Sequence, residues 1–187
     1  MPDVRMSGTN QRYNGVSSMA RTCTLKGNPL KLEGPELKIG DKAPDAVLKK
    51  SLVDSMKLSE TSGSVRVVSV VPSVDTPVCA LQTKRFYEDA MKLPNVRFIT
   101  VSCDLPVAMA RFCGAESIAT DRMNVLSDHK DTSFGKAFGT LISDLRIQCR
   151  AVFVLDKDDT IRHVQYVPEV AEHPDYDAAM ACVKSLL

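Results

Sequence analysis

No stretch of the 187-residue chain approaches 18 consecutive apolar residues, which excludes a membrane-spanning helix. Neither charge sign dominates: Lys and Arg number 24, Asp and Glu 23, for a net charge of +1. Nucleic-acid binding normally shows as a basic excess or stripe, and neither occurs, so no nucleic-acid partner is expected. The three histidines, His129, His163 and His173, are scattered without ligand spacing, so no metal is expected. They read as surface or loop residues. Neither a C-x-x-C pair nor a glycine-rich loop after an apolar run is present, so neither a zinc ribbon nor a nucleotide-binding turn is indicated. No cofactor is expected either. With 44% apolar and 25% charged residues the chain has an ordinary globular composition. Its length fits one domain with a full core.

Residues 1–21, MPDVRMSGTNQRYNGVSSMAR, are polar and lack the apolar core of a secretory signal. Arg5, Arg12 and Arg21 with Ser17 and Ser18 faintly resemble a transit peptide, but Gly8 and Gly15 interrupt it and no apolar helical face forms. A disordered extension is expected here, with Met19 an alternative start and residues 22–187 forming the domain.

Apolar and polar residues alternate over 24–39 around Gly27-Asn28-Pro29 and Glu33-Gly34-Pro35, the pattern of a small β-hairpin. Ala46–Lys49 reads as a short strand. Val65–Val71, VRVVSVV, is β-branched and nearly all apolar, which predicts a strand buried on both faces. Pro72–Pro77 breaks it, and a helix follows from Val78 to about Leu93. Its inner face is expected to carry Leu81, Phe86, Ala90 and Leu93, with Lys84, Arg85, Glu88 and Asp89 solvated. Val96–Ser102 reads as a second strand, Pro106 to about Ala115 as a helix, Val125-Leu126 as a short strand and Thr132–Phe138 as a short helix. Arg150–Leu155 is a third buried strand, joined by a turn at Lys157–Asp159 to Ile161–Val167. A final amphipathic helix opens at Pro174-Asp175 and buries Tyr176, Ala179, Met180 and Val183. This order predicts an α/β fold with helices on a mixed central sheet, a thioredoxin-like layered sandwich with an N-terminal hairpin.

The six cysteines (Cys23, Cys79, Cys103, Cys113, Cys149 and Cys182) pose the chemical question of which one sits in an activating environment. Cys79 does so best. In PSVDTPVC, Thr76 suits the N-cap, its hydroxyl accepting from a first-turn N–H, and Pro77 suits the first helical position. Cys79 then lies in the first turn, among unpaired N–H groups at the positive end of the helix dipole, which favours a thiolate. A lone cysteine at a helix start is more often a small buried apolar residue. Here the hydroxyl of Thr76 and the flanking Pro72 and Pro77 together describe a walled anion pocket.

PSVDTPVC resembles the P-x-x-x-T-x-x-C signature of peroxiredoxins, and PSVDTPVCALQTKRFYE resembles the bacterial thiol peroxidase subfamily, atypical two-cysteine peroxiredoxins. Ala110–Glu116, ARFCGAE, resembles that subfamily's resolving-cysteine segment, and Arg150–Asp156, RAVFVLD, its arginine strand. The similarity covers about residues 22–187. The resemblance implies that Cys79 is the peroxidatic nucleophile and Cys113 the resolving thiol. It gives Thr76 the task of bonding sulfur and peroxide, Arg150 that of stabilising thiolate and substrate, and Pro72 that of lining the pocket. It further implies an intrachain disulfide recycled by thioredoxin, hydroperoxide substrates with a leaning toward organic ones, and a homodimer. Cytoplasmic residence follows from the need for that reductant. Ser117 departs from the family's usual Gly-Ala-Glu-Gly and is expected to stiffen its helix slightly. Without the resemblance, Cys113 divides evenly between a structural and a functional reading. Cys23, Cys103, Cys149 and Cys182 read as structural, Cys149 pointing away from Arg150 because strand side chains alternate. Two other classes of function stay open at this stage. One is a redox-switched interaction protein using the same cysteine pair without turnover, and the other is a structural domain with inert thiols.

Overall fold

The computed structural model describes residues 21–187; the expected extension and its alternative start at Met19 lie outside the described residues but for Arg21. Strands β1 (Thr22–Leu25) and β2 (Asn28–Glu33) form the N-terminal hairpin. Its two-residue turn, Lys26-Gly27, has positive φ at both positions, the mirror-image turn whose twist suits a hairpin. The hairpin is shorter than the alternation indicates, because Gly34 and Pro35 end the second strand. Strands β3 (Val47–Lys49) and β4 (Ser55–Lys57) lead through a 3-10 turn, Leu58–Thr61, to β5 (Val65–Val70). The remainder alternates: α1 (Pro77–Lys92), β6 (Val96–Ser102), α2 (Pro106–Ala115), β7 (Met123–Ser127) and α3 (Ser133–Phe138). Two-residue strands β8 (Leu141–Ile142) and β9 (Ile147–Gln148) precede β10 (Ala151–Leu155), β11 (Ile161–Tyr166) and α4 (Tyr176–Ser185).

Seven strands make the central sheet in the order β11-β10-β5-β6-β7-β3-β4. The β5-β6 and β6-β7 pairs are parallel and the others antiparallel, the mixed sheet the sequence predicts. The period of two then sorts side chains onto two faces. Val65, Val67, Phe98, Met123, Val152 and Val154 pack beneath α1, α2 and α4, while Val68, Val70, Ile99, Val101, Phe153 and Leu155 face α3 and the 3-10 turn. Strands β8 and β9 extend the N-terminal hairpin into a second, four-stranded sheet, β1-β2-β8-β9. Two residues per strand carry no readable alternation, and the sequence reading misses both, as it misses β4.

Two assignments on α1 are corrected. Leu81 is 56% exposed rather than inward, and Asp89 is buried rather than solvated. The inner face runs through Cys79, Gln82, Thr83, Phe86 and Ala90, a strict three-to-four spacing that begins at the cysteine. Helix α4 follows expectation: Asp175 is its N-cap and accepts from the Ala178 amide at 2.9 Å. His163 is half-buried on β11 with Nε2 unpartnered, and so is not the loop or surface residue expected.

Candidate active site

Strands β5 and β6 run parallel, so the loops that follow them emerge side by side. The first carries Pro72–Thr76 and the second carries Asp104. That carboxylate gathers three donors: the Ser73 hydroxyl and the Val74 amide, each at 2.8 Å, and the Ser102 hydroxyl at 2.6 Å. The loop entering α1 is thereby fixed from the neighbouring strand. Pro72 is buried at its start and Pro77 occupies the first helical position. Thr76 is the N-cap residue by backbone conformation, but its side chain makes no capping bond. The hydroxyl instead donates to the Ser73 carbonyl at 3.4 Å, which corrects the expected contact with a first-turn N–H.

Cys79 is fully buried in the first turn of α1. Arg150, 71 positions away and just ahead of β10, donates from Nη2 to the Cys79 sulfur at 3.3 Å. The guanidinium is pinned on its other sides: Nη1 donates to Gln82 Oε1 at 2.5 Å and Nε to the Val170 carbonyl at 3.0 Å. Gln82 in turn donates from Nε2 to the Ser69 hydroxyl on β5 at 2.8 Å. All of Ser69, Gln82 and Arg150 are buried. A buried arginine is costly unless its donors are satisfied, and here they are met by an amide, a carbonyl and the sulfur. Among the described residues no carboxylate pairs with it.

Cys113 lies on α2, in the same apolar cluster as Cys79. Both are free thiols. Burial pushes the Cys113 thiol up from its ordinary range. Polar ties hold α2 and the segment after it alongside α1: Asp75 pairs with Arg111 and Lys84 with Glu116. The Ala119 amide donates to the Tyr87 hydroxyl and Arg122 to the Ala90 carbonyl, each at 3.2 Å. The remaining cysteines sit in quieter places. Cys149 packs with Cys23, Ile142 and Val170, away from the sulfur that Arg150 touches, and burial pushes it up to about 12. Cys103 is pushed up to about 11, chiefly by burial and next by the charge of Asp128.

The structure therefore brings Cys79 and Arg150 into direct contact, sets Cys113 in the same core as Cys79, buries Pro72 at the start of the loop and leaves Thr76 exposed at the N-cap of α1. Gln82, Ser69 and Asp104 are absent from the sequence reading. Gln82 carries a legible signal, a polar residue three positions from Cys79 on the same helical face. Ser69, polar within an apolar strand, carries a weaker one. Asp104 carries none, since an aspartate after a strand is ordinary.

The redoxin family model matches residues 38–180. The thiol peroxidase of Bacillus subtilis (strain 168) is 45% identical over 164 residues, covering 88% of this chain and 97% of that protein. The thiol peroxidase of Oceanobacillus iheyensis is 46% identical over 158 residues, covering 84% and 95%. Among solved structures, a peroxiredoxin-like protein from Aquifex aeolicus superimposes with a TM-score of 0.83 at 42% identity, covering 90% of this chain and 98% of that one.

Proposed function

This chain belongs to the redoxin family as a peroxiredoxin-type thiol peroxidase of thioredoxin-like fold, and from that standing we propose that Cys79 is its peroxidatic nucleophile and Cys113 its resolving thiol. The observation that carries the reading is the 3.3 Å bond from Arg150 to the Cys79 sulfur. A buried guanidinium with no carboxylate partner among the described residues takes the acidic group it bonds directly, the Cys79 sulfur, as its counter-charge. The first-turn amides of Val78 and Cys79 add donors that the helix itself leaves unused.

The thiolate attacks the terminal oxygen of a hydroperoxide. An S–O bond forms as the O–O bond breaks, and the electron pair leaves on the departing oxygen, which takes a proton and departs as an alcohol or water. Cys79 becomes a sulfenic acid. Arg150 stabilises the developing charge with a planar, permanently charged fork. Pro72 is assigned to walling the pocket, and the Thr76 hydroxyl, exposed at the helix N-cap, to bonding an incoming peroxide. Cys113 then attacks the sulfenic sulfur, forming a disulfide and releasing water. Both thiols are buried, on different helices of one core, so in this reading Cys113 reaches the sulfenic sulfur through a local opening of α1 and α2. A thioredoxin-type dithiol protein restores both thiols by exchange and is itself oxidised. The resemblance of PSVDTPVCALQTKRFYE to the bacterial thiol peroxidase subfamily leans the proposed substrate toward organic hydroperoxides.

Peroxide consumption driven by thioredoxin tests the reading. Cys79→Ser abolishes turnover, whereas Cys113→Ser consumes one equivalent of peroxide and stalls. Sustained turnover in Cys79→Ser would refute the nucleophile, and in Cys113→Ser the resolving role.

A further inference from the structure

The N-terminal hairpin touches neither sulfur, yet it is tied to the catalytic arginine through one short loop. Residues 168–171 follow β11, and the Val170 carbonyl there accepts from Arg150 Nε at 3.0 Å. No helix or strand of its own fixes that carbonyl. The hairpin does so instead. Thr24 donates its amide to the Pro168 carbonyl at 2.7 Å and accepts at its own carbonyl from the Val170 amide at 2.8 Å. Glu169 then reaches back over the hairpin turn. Its carboxylate accepts from the Thr24 hydroxyl at 2.9 Å, the Lys26 amide at 3.0 Å, and the Gly27 and Ala171 amides at 3.1 Å. The Val170 side chain is buried among Cys23, Ile142 and Cys149, so the loop is held from its inner side as well.

We propose that Glu169 is a positioning residue for the peroxidase reaction: by clamping the hairpin turn to the 168–171 loop it fixes the Val170 carbonyl, and that carbonyl aims the Arg150 guanidinium at the Cys79 sulfur. The inference rests on the catalytic reading of Arg150 given above. A guanidinium is a rigid plane, so two fixed acceptors determine where its third edge points. Gln82 and the Val170 carbonyl are those acceptors. Releasing the second leaves the group free to pivot on Gln82, and hydrogen bonds weaken steeply with misalignment. The four donors hold the Glu169 carboxyl down at about 2, the Gly27 amide foremost, so the clamp is ionised throughout the neutral range. Lys26 and Gly27 are the turn residues with positive φ. That turn presents both amides to one carboxylate.

Single-turnover oxidation of Cys79 by hydrogen peroxide, measured in the full chain for Glu169→Ala, Arg150→Lys and the double variant, tests the clamp. Lysine cannot bond the Val170 carbonyl through an Nε–H, so the effect of Glu169 must vanish in its presence. The expected result is a roughly tenfold slowing in Glu169→Ala, from angstrom-scale misplacement, with Cys79 alkylation at pH 7 slowed alongside. In the Arg150→Lys background the same substitution changes the rate less than about twofold. Equal slowing in both backgrounds, or unchanged oxidation and alkylation rates in folded Glu169→Ala, overturns the proposal. If Glu169→Ala does not fold, Thr24→Val removes one donor alone and is held to the same comparison, with a slowing of about two- to threefold expected. An unchanged rate in Arg150→Lys itself would instead refute the catalytic reading.

Discussion

Arg150 is expensive to bury, and the residues around it show what offsets that cost. Its partners are neutral except for a sulfur able to ionise, which on the proposed reading supplies the missing counter-charge. Replacing the arginine removes both the counter-charge and the donors to the leaving oxygen. Arg150→Ala is expected to slow Cys79 oxidation by about 10²–10³-fold, some 2.7–4 kcal/mol of barrier. Stopped-flow mixing with peroxide measures it, and a loss below about tenfold would place the main stabilisation elsewhere. Cys113 contrasts with this: burial raises its thiol, and no cation among the described residues sits against it. In the proposed cycle it attacks only after Cys79 has been oxidised and the helices have opened. At this scale the sequence was legible wherever residues are local. PSVDTPVC lies on one loop and one helical turn, so its proline, threonine and cysteine could be read together. The bonds from Arg150 to Gln82 and Val170 span 68 and 20 positions, and only the fold joins them.

The elements carrying the two cysteines differ in how firmly they end. Helix α2 closes on a Schellman arrangement: the Ile118 amide donates to the Cys113 carbonyl at 2.9 Å and the Ser117 amide to that of Gly114 at 3.4 Å. The cap is built on Cys113 itself. Ser117 sits in it with φ +55°, a left-handed conformation in which a side chain is strained and glycine is not. Ser117 therefore does not stiffen the helix, as its sequence alone implied; it weakens the end that the proposed cycle opens. Ser117→Gly is expected to stabilise the protein by about 1 kcal/mol, seen as a higher urea midpoint, and to slow disulfide formation after Cys79 is oxidised. An unchanged midpoint would mean the strain is relieved elsewhere. The serine was visible as a departure from the family pattern, but its backbone angle was not.

Over the whole molecule, the inner strands β5, β6 and β10 of the central sheet were legible because they are apolar and almost wholly buried, whereas three-residue β4 at its edge was not. The second sheet was half legible: the N-terminal hairpin alternates, whereas β8 and β9 are too short to. Its function was not legible at all, since it depends on Glu169 meeting a turn some 140 positions earlier. No helix among the described residues is long and apolar enough to cross a membrane. The pH response of the folded state carries a separate expectation. Burial holds the His163 imidazole below its ordinary range, against the opposing pull of Asp175. As pH falls below about 6.5 the unfolded chain takes that proton first, so stability drops until the lower folded value is passed. Urea midpoints at pH 7.5 and 5.5 should fall more in the natural protein than in His163→Gln. Equal falls would remove His163 as a contributor.

The most direct test is the rate of Cys79 alkylation at pH 7, read by mass spectrometry in the natural protein and in Arg150→Ala. Rapid labelling in the natural protein and a clear slowing when the guanidinium is removed are expected, because the thiolate is the nucleophile. Equal rates in the two proteins would contradict the account.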